Sequence, residues 1–161
     1  MNRDQWLSTI APVALKMESL FGVPAHVMIA HSAVECGWGS AIIGKHNHFG
    51  ITAAARHALT VMVATKEVLT DDEARWWRAK YPNRPLTPVG TLHGKTVYKT
   101  VRPFADYPTL EDGARDWVSI VTGERGGQKR VDGQVISYQG AWLQYRATND
   151  WKAWCHRYLL V

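Results

Sequence analysis

Between Pro24 and Ile51 the chain encodes an apolar helix that stops at a glutamate and leaves through glycines. Pro24 suits a helix start, where its missing N–H costs nothing. Val27, Ala30, His31, Val34 and Glu35 recur at i, i+3, i+4, i+7 and i+8, which predicts an inward stripe with Glu35 on or beside it. Gly37 supplies a left-handed stop, and Gly39 lets the chain turn again. A carboxyl in a partly apolar setting is disfavoured in its ionised form, so its pKa rises and it suits general acid chemistry. The alternative reading is a helix-terminal glutamate that pairs with a neighbour and does no chemistry.

The rest of the chain reads as further helices around one β-rich stretch. Trp6, Ile10, Val13, Met17 and Leu20 share a helical face and predict a helix over residues 3–20, which Pro12 should kink or restart. Residues 59–69 are rich in β-branched side chains and read as a strand, with 96–104 as its partner. Between them Thr70-Asp71-Asp72-Glu73 is a capping box opening a short helix through Lys80. Trp76 and Trp77 on that helix cannot both face inward. Pro82, Pro85 and Pro88 then predict a loop, and Arg125 to Arg130 a second, basic one. Thr109-Leu110-Glu111-Asp112 starts a helix through about Thr122, with Ala114, Trp117, Val118 and Val121 inward. Helices at 137–145 and from about Asn149 follow, the last burying Trp151, Trp154, Cys155, Tyr158 and Leu159.

With 161 residues the chain is read as one domain, 1–161, large enough for a real core. An apolar content of 46% with 20% charged residues is ordinary for a globular protein, and no apolar run approaches a membrane span, so no membrane insertion is expected. Met1 to Trp6 lacks the apolar core of a cleavable signal. The net charge of +5 favours an anionic partner, but the basic residues are scattered, and nucleic acid is the weakest of the readings. Cys36 and Cys155 fit no metal or redox spacing and read as small buried thiols, with a disulfide left open. His46 and His48 flank Asn47 without a third ligand, so neither a metal nor another cofactor is expected.

Three ordered motifs carry a resemblance. Phe21-Gly22-Val23-Pro24, then Ala33-Val34-Glu35-Cys36-Gly37-Trp38-Gly39, then Asn47-His48-Phe49-Gly50-Ile51 are similar to the bacterial peptidoglycan N-acetylglucosaminidases of the flagellar-hydrolase and autolysin type. The resemblance resumes at Thr65-Lys66-Glu67, at Phe104 to Asp112, and more faintly at Ala147 to Asp150. It implies an α+β, mainly helical, lysozyme-like fold. A small β-lobe of two or three strands (about 59–105) would face a helical lobe across a cleft. It implies peptidoglycan as substrate, with the bacterial wall in periplasm or exterior as the place of action. Phage lysis or a secretion machine would deliver a chain without a signal, and a cognate inhibitor would protect its producer.

For site residues the resemblance points to Glu35 as acid and Glu67 as second carboxylate; Asp71 and Asp72 are explained by their capping box. For Glu67 a solvated strand residue paired with Lys66 or Lys99 is the competing reading. Eight tryptophans suit stacking on sugar rings. Trp117, Trp151 and Trp154 read as core, whereas Trp38, Phe49 and Tyr107 lie in or beside the motifs and read as cleft residues. Asn47 either holds its loop by backbone bonds or meets a sugar N-acetyl group. Relatives carry Tyr-Ala-Thr-Asp where this chain has Arg146-Ala147-Thr148-Asn149, so Tyr145 or Arg146 takes that tyrosine's place, or the role is absent. Cleavage after N-acetylglucosamine is the leading expectation. Muramidase or lytic transglycosylase action and a non-catalytic wall-binding module are the alternatives.

Overall fold

The computed structural model describes residues 1–131 and 134–160; at 128–131, 134, 136 and 157–160 only the backbone is described. The chain is mixed α+β and mostly helical, and it divides into two compact units. One comprises Met1–Gly50 with Tyr107–Val161, the other Ile51–Asp106.

The first unit is built from helices. Helix α1 (Arg3–Phe21) starts at a capping box between Asn2 and Gln5 and ends at Gly22 in the left-handed region. It runs unbroken through Pro12, so the helix does not restart there. Trp6, Ile10, Ala14 and Met17 are fully buried on both sides of the proline, and packing along one continuous stripe outweighs the single lost backbone bond. Leu20, expected on that stripe, is exposed. Helix α2 (Ala25–Cys36) packs on α1, as does α4 (Leu110–Val121), which opens at the Thr109–Asp112 capping box and buries Ala114, Trp117, Val118 and Val121.

Within the other unit, β1 (Leu59–Leu69), β2 (Leu86–Leu92) and β3 (Lys95–Asp106) form an antiparallel sheet in the order β1-β3-β2. Helix α3 (Asp71–Lys80) opens at the Thr70–Glu73 capping box and packs beside β1. It buries Trp77 and leaves Trp76 exposed. The loop expected through Pro88 is a correction: Pro88 lies in β2. That strand is at the sheet edge and shifts register between Pro88 and Gly90, and an edge with a bulge is where a strand tolerates a residue that cannot donate.

The basic segment from Arg125 is likewise not all loop. Gln128–Val131 (β4) pairs with Gln134–Ser137 (β5), and Arg125 makes an ion pair with the buried Asp116. Helices α5 (Tyr138–Thr148) and α6 (Trp151–Leu160) close the unit, separated by Asn149 in the left-handed region. In α6 Trp154 is buried and Cys155 half-buried, but Trp151 is 39% exposed, which corrects its assignment to the core. The expected burial of Tyr158 and Leu159 lies outside the described residues. Among the described residues no helix is long and apolar enough to cross a membrane.

Candidate functional site

Helix α2 is apolar on more than one side, and of the stripe its periodicity suggested only Val27 is buried. Val27, Met28, Ser32, Ala33 and Cys36 are buried, while Ala30 and Val34 stand exposed, Val34 at 81%. Val34 and Glu35 therefore do not face the core. Together with Ala30, His31, Trp151 and Cys155 they line an open cavity of about 300 Å³. Glu35 ends the helix one turn above Gly37, which caps it in the left-handed region.

The glutamate side chain is 40% exposed, and burial of the remainder raises its pKa above the ordinary carboxyl value. Two neighbours define its position. Gly50, with φ +63°, approaches so closely that an added Cβ would lie 2.3 Å from Glu35 Oε2. His31, one helical turn back, brings Nε2 to 3.6 Å from Glu35 Oε1. Burial lowers the His31 pKa to about 4, so near neutrality the ring is uncharged. Its Nδ1 accepts a 2.9 Å hydrogen bond from the indole N–H of Trp117, which puts the ring proton on Nε2, the nitrogen nearer Glu35. A protonated imidazole would draw the carboxyl pKa down; a neutral one leaves the effect of burial intact.

Of the segment after the helix, Asn47 to Gly50 stay in the same unit as the acid, and Gly50 closes against its carboxyl. Asn47 is 1% exposed, and its Oδ1 accepts from Phe49 N at 3.3 Å while its backbone pairs with Ile43. Both contacts lie within its own loop. Phe49, also buried, stacks on Trp117 with ring centroids 5.5 Å apart. His48 accepts from Trp6 Nε1 at 3.3 Å, a second indole-to-imidazole bond, and its pKa is lowered to about 4 by burial and by His46.

Other proposed site residues are more dispersed. Trp38, itself at φ +57°, is 40% exposed, with Arg3 above its ring at 3.7 Å and Trp6 edge-on at 5.4 Å. Tyr107 is buried and donates to Asp116 at 2.5 Å. Tyr145 is buried in an aromatic cluster, stacked on Trp154 at 5.2 Å. Arg146 is exposed in the last turn of α5 and lies against Gly22, the cap of α1, where a cation suits the carbonyl end of a helix.

Glu67 alone of these residues belongs to the sheet unit. On β1 its Oε1 accepts from Thr65 Oγ1 at 3.1 Å and from Arg102 Nη1 at 3.0 Å. Glu67 is thus held by Thr65 and Arg102, where the competing reading had Lys66 or Lys99. Arg102 sits opposite Val63 in the β1–β3 register, which places it on the face shared by Thr65 and Glu67.

Sequence reasoning placed His31 on the face of Glu35 but gave it no role; the i, i+4 spacing was the available signal. The part of Gly50 had no comparable signal, because its contact with the acid depends on a positive φ and a close approach. Both cysteines are free thiols. Among the described residues no three His, Cys, Asp or Glu side chains are grouped to hold a metal ion.

A family model described as glucosaminidase (mannosyl-glycoprotein endo-beta-N-acetylglucosaminidase) matches residues 11–159. The chain is 28% identical over 135 residues to the peptidoglycan hydrolase FlgJ of Pseudomonas aeruginosa. That alignment takes in 80% of this chain but 28% of FlgJ, so the chain spans just over a quarter of that relative's length. Among solved structures, the catalytic domain of the autolysin Auto from Listeria monocytogenes has a TM-score of 0.53 at 20% identity, covering 98% of this chain and 81% of that one. The glycoside hydrolase domain of Salmonella typhimurium FlgJ has a TM-score of 0.48 at 21% identity, covering 99% and 87%. The Listeria likeness is one of fold and extends over nearly the whole chain. With the family model matched from residue 11 to residue 159, this chain belongs to the glucosaminidase family.

Proposed function

We propose that the protein hydrolyses the glycan strand of peptidoglycan as an endo-β-N-acetylglucosaminidase, with Glu35 as its general acid. The observation that carries this reading is the setting of Glu35: a raised pKa, a neutral His31 at 3.6 Å, and Gly50 pressed against the carboxyl. Family membership and the peptidoglycan hydrolase among the relatives supply the substrate class.

Breaking a glycosidic bond needs a proton on the leaving oxygen and support for an oxocarbenium-like centre on the other side. Glu35 gives the proton and is left as a carboxylate, which then takes a proton from the incoming water. Gly50 limits the rotamers open to the acid. His31 stays uncharged, so it adds no positive charge that would offset the burial raising the Glu35 pKa. Glu67 is the second carboxylate of this reading, oriented by Thr65 and Arg102. Trp38, Phe49, Tyr107, Tyr145, Arg146 and Asn47 frame the substrate in this proposal, the buried ones by shaping the wall.

Purified sacculi digested with the protein and resolved by mass spectrometry test the reading. Reducing N-acetylglucosamine ends are expected. Reducing N-acetylmuramic ends or anhydro sugars would replace it with muramidase or transglycosylase action, and no fragments at all would leave a wall-binding module. The place of action is the cell wall, reached from periplasm or exterior. An activity of this kind endangers its producer, so an inhibitor protein covering Glu35 is the partner it implies. Recovery of wall fragments alone in a pull-down from the native host would count against that partner.

A further inference from the structure

The β1–β3 ladder covers one of its faces and leaves the other open. From Thr60 to Leu69 the β1 side chains alternate between exposed and half-buried. Glu67, on the half-buried face, is held by Arg102, whose guanidinium lies 5.5 Å from the Trp77 ring of α3. On the open face Lys66 lies directly opposite Lys99, and both are exposed. Val68 faces Val97 on one side of this pair; Ala64 faces Val101 on the other, with Met62 beyond. Met62 is 59% and Val68 40% exposed. Like charges directly opposite each other in a sheet are unfavourable, and the adjacent aliphatic pairs give the two ammonium groups no compensation. An edge lysine that repels foreign strands would account for Lys66 on β1, but Lys99 is on the central strand β3. The charge is also regional. Ile51–Asp106 holds nine Lys and Arg against five Asp and Glu, +4 of the chain's net +5.

We propose that the open face of this sheet is a docking surface for an acidic protein, which sets a carboxylate between Lys66 and Lys99 and apolar side chains over Met62 and Val68. The proposal does not depend on the catalytic reading: none of these residues belongs to the unit that carries Glu35. Charge complementarity and the order of the residues select the occupant. A second copy laid face to face would bring two lysines against two lysines. A soluble polyanion supplies charge but nothing apolar to cover Met62 and Val68. A bilayer takes apolar side chains deep and keeps lysines at its rim, whereas here the lysines stand in the middle of the aliphatic row. A protein surface with a carboxylate inside an apolar contact satisfies both features. Lys66 and Lys99 then gain from the partner what the sheet denies them, and a partner lacking the carboxylate is rejected.

Two readouts test this. In the free chain Lys66→Glu or Lys99→Glu turns the like pair into an opposite pair, so the urea midpoint should rise or stay level. A lower midpoint in both variants would mean that the lysines serve the fold, and would overturn the proposal. For the partner, Met62 and Val68 are each replaced by a photo-crosslinking phenylalanine in the full chain, irradiated in the native host, and the adducts identified by mass spectrometry. One acidic protein should be trapped from both positions and not from Leu15 of α1, which is 58% exposed. Purified, that protein should bind the chain in calorimetry and weaken at least tenfold with Lys66→Glu or Lys99→Glu. Changing its facing carboxylate to lysine should restore binding to the same variants, which mere capture would not do. No adduct, adducts only between copies of the chain, or a trapped protein that binds both variants within twofold of wild type would overturn the docking surface. Binding to phosphatidylglycerol vesicles that either variant abolishes would overturn it in favour of a membrane.

Discussion

The indole N–H of Trp117 donates to Nδ1 of His31 at 2.9 Å, and this bond decides which ring nitrogen is left to face Glu35. A tryptophan on α4 thereby governs the proton nearest the proposed acid on α2.

Replacing His31 tests that arrangement through the pH profile. His31→Lys puts a permanent cation beside the carboxyl, and an opposite charge within ~4–6 Å lowers a carboxyl pKa by ~1–3 units. The alkaline limb of kcat/KM should move down by about that much. His31→Gln keeps a neutral side chain and should leave the limb within about half a unit. Coincident limbs in both variants would remove His31 from the account.

Gly50→Ala should injure activity far more than stability. A methyl there would lie 2.3 Å from Glu35 Oε2, at a φ of +63°. The acid must move, and a shift of ~1 Å costs about 10²-fold in rate. The strained backbone costs ~1–2 kcal/mol, read by urea denaturation. An active Gly50→Ala enzyme would mean that Glu35 need not sit where the glycine holds it.

Stability should fall as the solution is acidified from neutrality. His31 and His48 each have a folded pKa near 4 against an ordinary 6.5, so between those values the unfolded chain binds more protons than the folded one. Their neutral burial is fully tolerated above about pH 6.5. Each then withdraws up to about 3 kcal/mol as pH falls toward 4. Glu35, raised in the folded state, contributes with the opposite sign and offsets part of this loss. Denaturant midpoints between pH 7.5 and 4.5 read the sum, and a flat profile would contradict neutral burial of the two rings.

Glu67 and Arg102 can be told apart by comparing rate with stability. If Glu67 is the second carboxylate, Glu67→Gln should cost about 10²-fold or more in kcat with little change in melting. If it serves only the ion pair, Glu67→Gln and Arg102→Met should each cost less than ~1 kcal/mol and leave kcat unchanged.

Much of this was legible where local chemistry settles structure. The bounds of α3 follow from Thr70–Glu73 at one end and the loss of helical pattern before Pro82 at the other. Strand β1 was readable from its β-branched run. The error on α2 had a physical origin: Met28, Ile29 and Ala33 are as apolar as Ala30 and Val34, so periodicity offered two faces and could not choose. The same ambiguity hid the cavity and the exposure of Trp151. Pro88 reads as a breaker unless the edge position of β2 is known, and that depends on a partner strand. The pairing of Glu67 with Arg102 spans 35 residues and depends on register, which composition does not carry.

The hydrolysis rate of Glu35→Gln on purified sacculi is the most direct test. The amide keeps the shape and the contacts with His31 and Gly50 but has no proton to give. The account predicts a loss of about 10²–10⁴-fold with melting unchanged. A folded Glu35→Gln protein that releases fragments within a few-fold of the wild-type rate would contradict it.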